Sequence, residues 1–103
     1  MNNINQLLAQ AQKLQANVSK VQNEIKDKTV VGTSGSGAVE ITLTVNGQMK
    51  SIIIKKEIID PEDKEMLEDL IITAFNDAKT KADSIYEEEM KKATGGMHLP
   101  GLF

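Results

Sequence analysis

Between residues 3 and 28, apolar side chains recur at Ile4, Leu7, Ala11, Leu14, Val18, Val21 and Ile25, alternately three and four positions apart. This heptad seam predicts a helix whose stripe packs on a second copy of the chain, on a later helix or on a sheet. Thr29, Val30 and Val31 are β-branched and predict a first strand, punctuated by Gly32 and by Gly35-Ser36-Gly37. Over 38–45 the pattern alternates, with Val39, Ile41, Leu43 and Val45 on one face and Glu40, Thr42 and Thr44 on the other. Asn46-Gly47 then predicts a two-residue turn into a third strand over 48–56. That turn sets Val45 opposite Gln48, Ile41 opposite Ile52 and Val39 opposite Ile54, one apolar face, with Met49 and Ile53 on the other.

Asp60-Pro61-Glu62-Asp63 reads as a helix start, with a capping acid, a proline at the first helical position and negative charge at the positive end of the dipole. Behind it Met66, Leu67, Leu70, Ile71, Ala74, Phe75, Ala78, Ala82, Ile85, Tyr86 and Met90 keep a helical period through 61–93, with Gly95 suited to the C-cap. About thirty helical residues span roughly 45 Å, more than a domain this small can cover, so the helix is expected to protrude and to be shared with a second copy. Residues 94–103 form an apolar Gly/Pro tail. The predicted class is α+β: one domain over 1–103, in two layers, with a helix over 3–28, a three-stranded antiparallel meander over 29–56 and the long helix over 61–93.

Composition narrows the chemistry. The 103 residues contain no cysteine, which removes disulfides and thiolate metal sites, and the one histidine, His98, stands in the tail without ligand partners. The acids Glu62, Asp63, Glu65, Glu68 and Asp69 suit a helix start, and Gly32 to Gly37 joins strands rather than a strand to a helix, unlike a phosphate loop. No catalytic residue, metal, cofactor or small-molecule substrate is therefore expected. Met1-Asn2-Asn3 lacks a basic leader and no apolar run approaches the roughly 18 residues of a membrane span, so a soluble, unprocessed cytoplasmic protein is expected. Net charge is −3, unevenly spread: residues 1–56 hold seven lysines against three acids, residues 57–103 five against twelve. At a Debye length of about 8 Å, a partner on the first half is largely screened from acids further off. Without arginine, any phosphate contact falls to lysines as point charges.

Four segments in this order resemble the YbaB/EbfC family of bacterial nucleoid-associated proteins: Ser34-Gly35-Ser36-Gly37, Val45-Asn46-Gly47, Met66 to Leu70 with Ala74 to Ala78, and the closing Gly95-Gly96 to Leu99-Pro100-Gly101. The resemblance implies an intertwined, tweezer-like homodimer with helical arms on a β-centred body. It also implies binding to double-stranded DNA with modest sequence preference, and a place on the nucleoid. The chain departs from the family pattern in lacking a Gly-rich, often basic leader and in lacking arginine.

Candidate DNA-binding residues follow from charge and spacing. Lys13 and Lys20 lie seven apart on the first helix, with Lys26 read as close beside their stripe and Gln6, Gln12 and Ser19 as filling the spaces between. Lys13 has no acid three or four residues away. In the second helix Asp77–Lys81, Lys79–Asp83, Glu87–Lys91 and Glu88–Lys92 stand four apart and predict self-neutralised pairs, although Lys91 and Lys92 fall near the far end of an arm and stay candidates. Lys55 and Lys56 suit edge protection. A rival reading is a protein-binding, holdase-like dimer that grips clients between helical arms, using an apolar inner face and the 97–103 tail.

Overall fold

A computed structural model of the chain describes residues 3–95; the tail over 96–103, with His98, lies outside the described residues. Helix α1 spans Asn3–Ile25, strands β1, β2 and β3 span Thr29–Ser34, Val39–Thr44 and Met49–Ile54, and helix α2 spans Lys64–Ala93. The strands form an antiparallel meander in the order β1-β2-β3. Helix α2 lies across β1 and β2, while α1 packs mainly on α2, and the described residues extend 74 × 21 × 17 Å.

The core follows from strand alternation. Val30, Gly32 and Ser34 of β1 stand opposite Leu43, Ile41 and Val39 of β2, all on the face that α2 covers. From α2, Ala74, Ala78 and Ala82 are fully buried against them, with Leu67, Leu70, Ile71, Phe75 and Ile85 packed around the rim. Three alanines on the helix and a glycine on the strand let the two backbones approach closely. A Cβ built on Gly32 would lie 2.2 Å from the Ala74 carbonyl oxygen and 2.3 Å from the Ala78 nitrogen. Gly32 therefore does not punctuate the strand as its composition suggests; β1 runs through it to Ser34.

The hairpin also departs from expectation. The Gly47 N–H donates to the Thr44 carbonyl (2.8 Å) and the Thr44 N–H to the Gln48 carbonyl (2.8 Å), with Gly47 at φ +93°. Thr44, not Val45, thus faces Gln48 across a three-residue loop, the form in which one residue of left-handed backbone follows a turn. A bulge between Thr42 and Leu43 absorbs the offset, setting Leu43 opposite Met49 and restoring Ile41 opposite Ile52 and Val39 opposite Ile54. Met49 consequently pairs with a core position instead of joining Ile53. Val45, freed from the ladder, donates its N–H to the Lys28 carbonyl (2.9 Å) and is buried with Ile25 and Met90.

Helix ends shift by a few residues. Asp60 caps a single 3-10 turn over Pro61–Asp63, its Oδ1 accepting from the Glu62 N–H, and Asp63 then caps α2 itself through the Met66 N–H. Gly95, at φ +64°, takes the position past the C-cap and donates to the Lys92 carbonyl, as its place after Thr94 predicts.

The free edge of β1 is closed by α2. The Thr33 N–H donates to Asp77 Oδ2 (3.0 Å), Lys81 Nζ donates to the Val31 carbonyl (2.8 Å), and Asp77 and Lys81 pair with each other at 3.2 Å. The Thr33 N–H first, and then Lys81, hold the Asp77 carboxyl below the usual aspartate range. A depressed folded-state pKa gives stability that is complete above the unfolded value and lost as pH falls through the folded one. Asp77→Asn should therefore lower the melting temperature at neutral pH and flatten the acid limb of a stability-versus-pH curve. An acid limb identical to that of the parent would remove Asp77 from this role.

Candidate nucleic-acid interface

Among the described residues, only the second half of the α1 seam is packed on another element. Val18, Val21 and Ile25 pack with Ile85, Tyr86 and Met90 near the end of α2, and Leu14 is half-buried, whereas Ile4, Leu7 and Leu8 are exposed. Of the three expected partners for the seam, α2 takes that half. The two helices run antiparallel and form an arm whose tip is the start of α1.

Along α1 a second stripe flanks the seam. Gln6, Gln10, Lys13, Asn17, Lys20 and Glu24 each precede a seam residue, so they repeat with the same alternation and form one ridge. Gln10, Lys13 and Asn17 border an open groove of about 520 Å³ against Ala93 and Gly95 at the end of α2. Asn17, Lys20 and Glu24 border a smaller hollow that Glu89 and Lys92 close from α2. The ridge thus runs along the cleft between the two helices of the arm.

The sequence-predicted residues divide accordingly. Gln6, Lys13 and Lys20 share this ridge. Gln12 and Ser19 each follow a seam residue, about 100° further round, and lie on the opposite flank rather than between the lysines. Lys26 falls outside the stripe because α1 ends at Ile25; it occupies the turn before β1. Gln10 and Asn17, which border the cleft, carry no charge to mark them, yet each stands three or four residues from Lys13 and so falls on the same side of the helix.

Electrostatics separates the two helices. Lys13, Lys20 and Lys26 are exposed, and among the described residues none has a carboxylate within ion-pair distance, although Glu24 stands four residues after Lys20. In α2 all four spaced pairs form. Lys79 pairs with Asp83 and Lys81 with Asp77, while Lys91 meets Glu87 at 3.6 Å and Lys92 meets Glu88 at 4.0 Å and Glu89 at 3.5 Å. Such exposed pairs contribute little to stability, but they offset positive charge that phosphate would otherwise meet. Uncompensated cationic charge thus sits on α1 and the turn after it, and Lys91 and Lys92 are weaker candidates.

Among the described residues there is no cluster of three or more side chains able to hold a metal ion. No helix among them is long and apolar enough to cross a membrane.

Comparison with known proteins accords with this architecture. The sequence model described as the YbaB/EbfC DNA-binding family matches residues 1–97. A nucleoid-associated protein of Acetivibrio thermocellus is 49% identical over 102 residues, covering 98% of this chain and 90% of that protein. Another, from Rhodospirillum rubrum, is 46% identical over 100 residues, covering 97% and 94%. Among solved structures, an uncharacterized protein from Helicobacter pylori superposes with a TM-score of 0.72 at 21% identity, covering 82% of this chain and 88% of that one, a likeness of fold.

Proposed function

Since the chain belongs to the YbaB/EbfC DNA-binding family, we propose that it binds duplex DNA on the nucleoid through the lysine-bearing ridge of α1, by phosphate contacts and shape. The observation that carries this reading is the contrast between the helices: Lys13 and Lys20 stand uncompensated on an exposed ridge, while the lysines of α2 have carboxylate partners. Amides at Gln6, Gln10 and Asn17 add hydrogen-bond donors along the same ridge. Lysine ammonium groups and amides directed at the backbone position a protein on DNA without reading sequence. The protein would then organise or bend the duplex as a scaffold of the cytoplasmic nucleoid, with effects on expression that follow from DNA geometry. Fluorescence anisotropy on random and on A·T-rich duplexes of equal length at physiological salt tests it. Affinities within a few-fold of each other are expected, and no binding to either duplex would overturn the proposal.

The same reading takes the working unit to be a homodimer. Helix α2 leaves β3 uncovered: Ile52 is 40% exposed and Ile53 60%, and Ile59 and Ile72 are similarly open. The β1 edge is closed by Asp77 and Lys81, so β3 is the apolar strand left for a second copy. Ile53→Asp, at a side chain already open to solvent, should leave the protomer folded and shift sedimentation from dimer toward monomer. A variant that sediments like the parent would place the contact elsewhere. The holdase reading draws on the same apolar surface. Suppression of client aggregation that Ile53→Asp abolishes, without DNA binding, would favour it.

A further inference from the structure

The ridge of α1 meets two different surroundings along its length. Among the described residues, no carboxylate lines the groove beside Lys13. The hollow beside Lys20, about 290 Å³, is lined by Glu24 from α1 and by Glu89 and Lys92 from α2. Neither acid is within ion-pair distance of Lys20, yet a phosphate arriving there meets as much negative as positive charge. Glu89 also differs from its neighbours on α2. Its side chain is 22% exposed, whereas those of Glu87 and Glu88 are 63% and 71% exposed. Packing in the cleft limits where its carboxylate can go, and Lys92 Nζ stands 3.5 Å from Glu89 Oε1. Lys92 is the mobile member of the pair, an exposed ammonium on a four-carbon stem. Glu88, at 4.0 Å and open to water, holds it less firmly. Lys91 and its partner Glu87 line neither the groove nor the hollow.

We propose that Glu89 limits the affinity for DNA: it holds Lys92 off the ridge, so that Lys92 is a latent phosphate contact beside Lys20. The inference rests on the reading of the α1 ridge as the DNA-binding surface. Once Glu89 loses its charge, Lys92 can swing across the hollow and join Lys20 on the same run of phosphates. Glu89→Gln keeps the size of the side chain and removes only that charge. In a dimer it adds two lysine–phosphate contacts, so the fall of log K against log salt should steepen by about 2 relative to the parent. The gain in affinity over the parent should then be about tenfold larger at 50 mM salt than at 200 mM. Glu87→Gln likewise removes one carboxylate and frees one lysine of α2, but outside the cleft, and should leave the slope as in the parent. Adding Lys92→Gln to Glu89→Gln should restore the parent's slope. Anisotropy titrations of one duplex over that salt range compare the four proteins, and tighter binding is a result that lost packing around Glu89 would not give. A slope for Glu89→Gln equal to the parent's would overturn the inference while leaving DNA binding in place. So would a steepening that Glu87→Gln shares equally or that persists without Lys92. A parent that binds no duplex would overturn both.

Discussion

Gly32→Ala is expected to cost about 3 kcal/mol or more, one of the largest losses available to a single methyl group in this chain. The reason is what the new Cβ meets. Its nearest neighbours are the Ala74 carbonyl oxygen and the Ala78 nitrogen, at 2.2 and 2.3 Å, both backbone atoms of α2. A side chain in the way could rotate aside; a helix backbone has to translate. Moving α2 outward would open the Ala74, Ala78 and Ala82 contact, lengthen the Ser34 Oγ to Leu70 carbonyl bond (2.6 Å) and strain the Asp77–Lys81 closure of β1. For a domain near this size each kcal/mol shifts the melting temperature by roughly 4–8 °C, so a fall of roughly 12–24 °C is expected at fixed protein concentration. Thermal denaturation followed by circular dichroism measures it. A loss below roughly 4 °C would mean that α2 is not held against β1 as closely as this packing requires.

The second large effect is on binding. Lys13→Glu combined with Lys20→Glu should reduce affinity for duplex DNA by roughly a hundredfold or more at physiological salt, since in a dimer four phosphate contacts become four repulsions. The fold should tolerate both changes. Each side chain is exposed and outside ion-pair distance of any carboxylate among the described residues, and the new local conflicts are confined to position 20, where a glutamate would face Glu24 one turn on, worth a few tenths of a kcal/mol, and share a hollow with Glu89 and Lys92 of α2. Lys91→Gln with Lys92→Gln is the informative contrast. Those lysines already meet Glu87, Glu88 and Glu89, so removing them should weaken binding only a few-fold. Electrophoretic mobility shift on one duplex, with sedimentation confirming that the variants keep the parent's oligomeric state, separates the outcomes. Equal losses from the two double variants would spread the site over both helices of the arm.

Most of the architecture was legible because it rests on periodicity. A heptad seam without a slip marked α1, and one apolar face fixed the pairing of Ile41 with Ile52 and of Val39 with Ile54, since a slip of one residue would turn every side chain over. What stayed hidden depended on partners distant in the chain. Gly32 carries the signal of a turn glycine, and only the helix packed over it, more than forty residues later, explains a glycine inside a strand. Asp77 and Lys81 read correctly as a pair four apart, but their bonds to the β1 edge bridge 44 and 50 residues. Asn46-Gly47 fits both a two- and a three-residue loop, and the choice was made by Val45, which gains burial against Ile25 and Met90 when it leaves the ladder.

The candidate site was legible in charge and less so in geometry. Lys13 and Lys20 stood out because nothing nearby compensates Lys13 and seven residues return to the same side of a helix. Gln12, Ser19 and Lys26 were grouped with them by proximity in sequence, whereas helical phase and the end of α1 at Ile25 set them apart. Gln10 and Asn17 could be found by the same count applied relative to the apolar seam. The groove at the arm's tip is not readable from α1 alone, since it exists only where Ala93 and Gly95 meet Leu7 and Leu14.

The salt dependence of DNA affinity tests the central claim most directly. If the proposed dimer displaces counterions from about six phosphates, through the Lys13–Lys20 ridge and the separate Lys26 turn of each protomer, log K falls against log salt with a slope near −5. A slope near zero, with affinity unchanged from low to high salt, would contradict it.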